Sequence, residues 1–332
     1  MRDVAAVAGV SVKTVSRVVN QESGVSEELA DRVSNAVSLL GYRHNLAASS
    51  LRRAGGKTAT IGLLLEDVAN PFSSALHRAI EDVARSRGIM VFAGSCDEDA
   101  ARERDVLMAL ISRRVDGLIA VPASPDSSTL LSEPQRAGTP IVFVDRPITS
   151  GAADCVAVDN RGGSREGVRH LVAAGHRRIA FLGDAPSIWT AAERYAGYAD
   201  ALSWADLPVG RHLVRRNVRS SAEAEKATLS LLAQPDPPTA LFTGQNLITM
   251  GAVKALQHRG LQHSVAVVGF DDFAVADLLD PAITVLAQDA PELGRLAAEL
   301  LFRRLDGDAG PARHVMLPTS LIVRGSGEIR VR

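Results

Sequence analysis

Two sets of side chains in this chain of 332 residues are candidates for contact with a ligand. The first is compact: Ser11, Val12, Lys13, Thr14, Ser16 and Arg17, closed by Asn20. Short hydroxyls, an amine and a guanidinium fill the first turns after a capping serine. An arginine can fork onto O6 and N7 of a guanine, and Ser or Thr can reach several base edges or a phosphate. The second set is scattered: Asn70, Phe72, Asp145, Trp189, Arg194, Phe242, Gln245, Asn246, Asp271 and Asp272. Carboxylates, amides and an arginine can grip the hydroxyl rim of a polyol while aromatics cover its C–H face. Taken singly, each polar residue of this set could equally cap a helix or pair locally.

Helices hold the first set. Val4, Val7 and Ala8 share one helix face, and Gly9 permits the left-handed turn that ends it. Ser11 is an N-cap for a second helix over 12–20, which buries Val15, Val18 and Val19. Ser26 caps a third helix with a stripe of Val33, Val37 and Leu40, closed by Gly41. Two short helices across a tight turn, with polar side chains at the start of the second, satisfy the geometry of a helix-turn-helix. An ordinary helical hairpin with a solvated face fits the helix pattern alone equally well.

From Ala59 the pattern changes. Short apolar runs at 60–65, 89–93, 117–121, 140–144, 154–158, 178–183, 211–215, 239–243, 265–269, 283–287 and 320–324 read as strands. Amphipathic stretches at 73–87, 99–113, 127–137, 162–174, 190–204, 221–233, 247–259 and 290–305 read as helices. This alternation predicts parallel sheets covered by helices on both faces, and so many strands predict two lobes. Sites in such folds lie past the carboxyl ends of strands, here in a cleft between lobes. Most of the second set follows strand ends. The joint at 52–58 ends in Gly56-Lys57-Thr58, but it is no phosphate loop. Leu51 stands where the first glycine is required, and a strand follows instead of a helix.

Formal charge is −1, so any attraction to nucleic acid must be local. Residues 1–53 carry seven Lys/Arg against five Asp/Glu, which predicts salt-sensitive binding of modest nonspecific strength. Cys96 and Cys155 make no disulfide framework, which fits a reducing cytosol. No secretion signal, membrane span, dinucleotide fingerprint, metal-spaced Cys/His cluster or nucleophile beside the scattered histidines is present in the sequence. No cofactor is expected.

The order Val4-Ala…Ala8-Gly-Val-Ser…Thr14-Val-Ser-Arg-Val-Val-Asn20…Val25-Ser…Gly41-Tyr-Arg-x-Asn45…Ser50-Leu-Arg52 resembles the DNA-binding headpiece of the lactose-repressor (LacI) family of bacterial regulators. Asn70-Pro-Phe72, Val115-Asp-Gly-Leu-Ile119, Val144-Asp-Arg146, Val158-Asp-Asn160, Glu193-Arg-x-x-Gly197, Val268-Gly-Phe-Asp-Asp272 and Gln288 extend the likeness across the family's regulatory core, which is similar to periplasmic sugar-binding proteins. Two departures stand out: His44 where the family commonly has Pro before the hinge asparagine, and Asn246 where Asp is commoner. The usual Thr-Ile pair before the first helix is also missing. Asp3 would cap instead, or the natural start lies upstream; intact mass of native protein separates the two.

The resemblance implies an all-α helix-turn-helix headpiece (1–44), a hinge helix and linker (45–58), and a periplasmic-binding-protein-like α/β core of two doubly wound lobes (59–332). The lobes would be 59–155 plus 288–317, and 156–287 plus 318–332. It implies base reading by Val12, Lys13 and Arg17, with Ser11, Thr14, Ser16 and Asn20 on phosphates or local backbone. Asn45, Ala48 and Leu51 would fall on a hinge helix, and Leu51 would wedge into the minor groove. Asn70, Phe72, Asp145, Arg194, Asn246 and Asp271 would touch an effector, and the aromatic cover of its C–H face assigns Trp189 and Phe242 to the same site. The expectation is a cytoplasmic, homodimeric transcriptional repressor on a pseudo-palindromic operator, controlled by a sugar or sugar derivative. A nucleoside or purine co-repressor is the alternative effector. A sugar-handling enzyme and a transport-type binding protein are the competing classes.

Overall fold

The computed structural model describes residues 1–19, 23–42, 57–123, 127–147 and 153–331. They form two compact units, Met1–Thr58 and Ala59–Arg332.

The first unit holds α1 (Arg2–Ala8), α2 (Val12–Val19) and α3 (Glu27–Leu39). Gly9 takes the left-handed conformation (φ 61°) that ends α1. Ser11 caps α2: its Oγ accepts the Thr14 N–H at 3.1 Å. The core is Val4, Ala5, Ala8, Val15, Val33 and Ala36. Val4, Ala8 and Val33 are buried as expected and Val37 packs against them, but each stripe differs from the sequence reading at one position. Val7 is 52 % exposed while Ala5 turns inward, and Leu40 is exposed while Ala36 is buried. Alanines at these positions let α1 and α3 approach closely, which a valine and a leucine would prevent. Ser26 occupies the N-cap of α3, but its side chain makes no capping bond.

The second unit contains two six-stranded sheets. The first runs β11 (His314–Leu317), β5 (Asp154–Val158), β4 (Ile141–Val144), β3 (Gly117–Ala120), β1 (Thr60–Leu65), β2 (Met90–Ser95), with every neighbouring pair parallel. The second runs β12 (Ser320–Ile322), β10 (Thr284–Ala287), β9 (Ala266–Phe270), β8 (Ala240–Thr243), β6 (Ile179–Leu182), β7 (Val214–Arg215), parallel except for β12. Central strands are buried along nearly their whole length, because helices cover both faces. The helices are α4 (Pro71–Ser86), α5 (Ala100–Ser112), α6 (Ser127–Arg136), α7 (Asn160–Ala173), α8 (Trp189–Trp204), α9 (Ser221–Leu232), α10 (Asn246–His258) and α11 (Ala290–Leu305).

The chain crosses between the lobes three times, at Asp159, at Gln288–Asp289 and at Pro318–Thr319. The first crossing lies past the sequence-based division at 155–156, because β5 pairs with β4 and β11 and belongs wholly to the first sheet. Paired helices pack at close range where one carries glycine. A Cβ on Gly197 of α8 would stand 2.2 Å from the Arg161 carbonyl of α7. No described helix is long and apolar enough to cross a membrane.

Candidate functional site

In the first unit, Ser11, Val12, Lys13 and Arg17 are exposed, and Thr14 and Ser16 are half-buried. Val15 between them is fully buried against α1 and α3. One face of α2 is thus fixed by the core, and the opposite face presents a hydroxyl, an amine and a guanidinium together. The Ser11 and Thr14 hydroxyls lie 2.9 Å apart. Arg32 holds the turn by donating from Nη2 to the Ala8 carbonyl at 2.6 Å. Sequence reasoning missed that role, which depends on a contact between residues far apart in the chain. Asn20, Asn45, Ala48 and Leu51 lie outside the described residues.

The second site is a cavity of about 70 Å³ between the sheets. The first lobe supplies Glu66, Asn70, Phe72, Glu98, Asp145 and Arg146; the second supplies Asp184, Ile188, Thr190, Ala191, Arg194, Gln245 and Asp271. Gln288, on a crossing, joins both. Most of these residues follow strand ends: β1, β2 and β4 in one lobe, and β6, β8 and β9 in the other.

Asp145 and Asp271 occupy matching places. Each is the residue just past a strand (β4, β9), donates its N–H to the next strand at 2.9 Å, and is left-handed, with φ of 69° and 70°. A left-handed non-glycine costs of order 1 kcal/mol and persists where surroundings impose it, most often at functional sites. Here the turn aims one carboxylate from each lobe at the cavity.

Arg194 donates to the Asn160 side chain (2.7 Å), to the Gly244 carbonyl (2.7 Å) and to Asp271 Oδ2 (3.3 Å), with its guanidinium 3.8 Å from the Phe270 ring centroid. Arg146 is clamped by both oxygens of Glu98 and donates to the Pro122 carbonyl. Both guanidiniums are buried and paired. Three further carboxylates remain. Burial, helped by the neighbouring Asp145 charge, lifts the Glu66 carboxyl to about 7. Burial also raises Asp145, with Asp271 and Glu98 adding to it, and raises Asp184. Of the buried polar atoms without a hydrogen-bond partner among the described residues, four gather here: Glu66 Oε2, Asp145 Oδ1, Gln288 Oε1 and Arg146 Nε, the last 3.5 Å from Asp145 Oδ2. Buried polar atoms are normally satisfied, so three free acceptors and one donor at one cavity mark a place for a polar guest.

Asn70 does two things. Its Oδ1 accepts the Phe72 N–H (3.1 Å), capping α4, and also accepts from Asn246 Nδ2 across the cleft at 3.0 Å. Asn246 itself is 1 % exposed and reaches the cavity only through Asn70. The structure brings together Asn70, Phe72, Asp145, Arg194, Gln245 and Asp271 as expected. Phe242 is a correction: it is fully buried in the second lobe, stacked on Phe181 at 6.2 Å. It lies inside β8, and a strand-interior side chain does not reach the strand's end. Trp189 is half-buried at the start of α8, while its neighbours Ile188, Thr190 and Ala191 line the cavity. Asp272 turns away and is held by two 2.7 Å bonds from Arg324. Glu66, Glu98, Arg146 and Asp184 were missed; each follows a strand, the one signal that could have found them. Among the described residues no group of three or more His, Cys, Asp and Glu could hold a metal ion.

Residues 1–45 match the family described as bacterial regulatory proteins, lacI family, and residues 168–327 match the periplasmic binding protein-like domain. The chain is 32% identical over 326 residues to the ribose operon repressor of Halalkalibacterium halodurans, covering 98% of this chain and 96% of that one. It is 33% identical to the transcriptional regulator GalS of Salmonella typhimurium, over 96% of this chain and 94% of that one. The Lac repressor dimer bound to operator and the anti-inducer ONPF matches with a TM-score of 0.85 at 29% identity, covering 98% of each chain. The transcriptional regulator CelR in complex with cellobiose matches with a TM-score of 0.74 at 30% identity, again over 98% of each. A three-helix unit with a polar-faced second helix, joined to two doubly wound lobes around a polar cleft, therefore has its family: the chain belongs to the LacI family of DNA-binding transcriptional repressors.

Proposed function

We propose that the protein works as a homodimer on a pseudo-palindromic operator and that a sugar or other polyol in the cleft controls its grip. Val12, Lys13 and Arg17 read base edges from α2, and Ser11, Thr14, Ser16 and Asn20 hold phosphates or local backbone. Asn45, Ala48 and Leu51 belong to the hinge segment in this reading, with Leu51 as the minor-groove wedge. Residues 1–44 then form the headpiece, 45–58 the hinge and linker, and 59–332 the effector-binding and dimerisation domain. The observation that carries the effector is the set of unpartnered polar atoms on Glu66, Asp145, Gln288 and Arg146 around one cavity. Hydroxyl groups both donate and accept, so a polyol can meet all four. The cellobiose bound to CelR and the ribose operon named for another relative support a carbohydrate.

Dimerisation has its own support. The open edge strand β2 exposes Met90 (63 %) and Phe92 (41 %), and α5 beside it exposes Met108 (57 %). Apolar side chains on an unpaired edge invite cover by a second copy.

The test is fluorescence anisotropy of the full chain on inverted-repeat fragments from upstream of its own gene, against random duplex, with and without sugars. The reading requires operator preference that a carbohydrate shifts by 5–150-fold, the usual range of such coupling. Equal affinity for all duplexes under every condition refutes it.

A further inference from the structure

The charges around the cleft do not balance. Five carboxylates line it, on Glu66, Glu98, Asp145, Asp184 and Asp271, against the two guanidiniums of Arg146 and Arg194. We propose that the polyol taken up here carries a protonated amine, as an amino sugar or an amino cyclitol does, and that its ammonium lies against Glu66 and Asp145. The inference rests on the effector reading above and narrows its ligand.

Local pairs account for the other three carboxylates. Glu98 takes up Arg146 with both oxygens, and Asp271 accepts from Arg194 and from Gln288. Asp184 accepts from the Ala185 N–H and from Gln245, with the exposed Arg219 guanidinium 3.9 Å away. Glu66 has only the neutral Ser73 hydroxyl, at 2.7 Å on Oε1. Asp145 shares an Arg146 already committed to Glu98, with 3.5 Å between Oδ2 and Nε. Both carboxylates are at least nine-tenths buried, and each keeps one oxygen without a hydrogen-bond partner among the described residues.

The free atoms point the same way. Three buried acceptors, Glu66 Oε2, Asp145 Oδ1 and Gln288 Oε1, stand against one buried donor, Arg146 Nε. Hydroxyls can meet these atoms one by one, but each adds two lone pairs of its own and offsets no charge. An ammonium brings three donors, no acceptor and the missing positive charge. A metal ion would also bring charge, but no group of three or more His, Cys, Asp and Glu among the described residues could hold one.

Protons then report the ligand's charge. Burial lifts Glu66 to about 7 against the pull of Arg146, and it lifts Asp145 too. Asp145 after β4, Glu98 after β2, Asp184 after β6 and Asp271 after β9 add negative charge around Glu66, while Arg146 and Arg194 on α8 oppose it. A cation set against Glu66 and Asp145 favours their ionised forms. Binding of an ammonium near pH 6 therefore expels protons, and its affinity rises with pH as the two carboxyls ionise. A neutral sugar brings no charge to drive that release.

The test is isothermal titration of the full-length protein at about pH 6, in buffers of differing ionisation enthalpy. The probes are glucose, galactose, mannose and myo-inositol, their aminodeoxy counterparts, and the N-acetylated hexosamines, which keep the nitrogen and lose the charge. At least one aminated probe should bind ~tenfold or more tighter than its parent and its N-acetyl form, the scale of one close opposite charge, and should release most of a proton. Glu66→Gln and Asp145→Asn remove charge and keep shape, and Asn tolerates the left-handed backbone at 145. Each should erase most of the gain. Neutral probes that bind as tightly as their aminated counterparts overturn the proposal, as does an amine that binds without proton release or a gain that survives both variants. Silence from every aminated probe also overturns it. A neutral sugar that binds, and is lost in Asp271→Asn, leaves the effector cleft standing while the ammonium falls; a chain that answers to no probe of either kind removes the sugar reading as well.

Discussion

Glu66 gives the sharpest quantitative expectation. Its carboxyl is raised from an ordinary 4.5 to about 7, chiefly because burial disfavours the charge. At ~1.4 kcal/mol per tenfold, that rise corresponds to roughly 3 kcal/mol, an upper figure given the nearby ion pairs. Between pH 4.5 and 7 the folded chain keeps a proton that the unfolded chain has lost. Stability is therefore full below pH 4.5 and falls as pH rises to about 7, beyond which the whole penalty applies. Glu66→Gln keeps an acceptor for the Ser73 hydroxyl, which donates to Glu66 Oε1 at 2.7 Å, but cannot ionise. The variant should match the parent near pH 4.5 and exceed it by up to ~3 kcal/mol at pH 8. Urea unfolding of both proteins followed by circular dichroism at several pH values reads the difference; titrating groups away from the cleft cancel in it, while Asp145, whose charge acts on Glu66, adds to it. Parallel curves from pH 5 to 8 would show that Glu66 is not desolvated as described.

Gly197→Ala should lower stability by ~1–3 kcal/mol or more, since its Cβ would press on the Arg161 carbonyl, a backbone atom that cannot rotate away; thermal unfolding measures it. Arg194→Lys keeps a cation beside Asp271 but loses the fork that also reaches Asn160 and Gly244, so effector response should vanish while operator binding persists in anisotropy. Arg17→Ala should cost roughly 1–3 kcal/mol of operator binding and relax preference at one base pair, read by competition with single-base operator variants. Leu51→Ala should reduce operator bending in a phasing assay with little change in effector affinity.

The architecture was largely legible because its signals are local. Apolar runs flanked by turn residues marked most strands of the second unit. The strand His314–Leu317 escaped, being short, lying at a sheet edge and ending at Pro318. The cleft was legible at some strand ends, as with Asn70, Asp145 and Asp271, and overlooked at others, as with Glu98 and Asp184. Phe242 misled because both faces of a parallel strand are buried, so composition does not say which aromatic points at a site and which fills a core. Trp189 misled by one helical step, about 100° of rotation. Arg32 on the α1–α2 turn depends on a long-range contact that no periodicity encodes; for Glu98 the strand end marks the place but not the pairing with Arg146.

The triple passage of the chain between lobes has a bearing on how the protein is made. The first sheet is not finished until β11 is added, and its core lacks α11 until residues near 300 exist. The second sheet likewise waits for β12. During synthesis the N-terminal helices leave the ribosome as one uninterrupted stretch, whereas both sheets of the second unit wait for residues 314–322. A nascent chain therefore carries its three-helix unit well before either sheet of the second unit is closed, and a chain cut short before β11 would keep the first unit with both sheets unfinished.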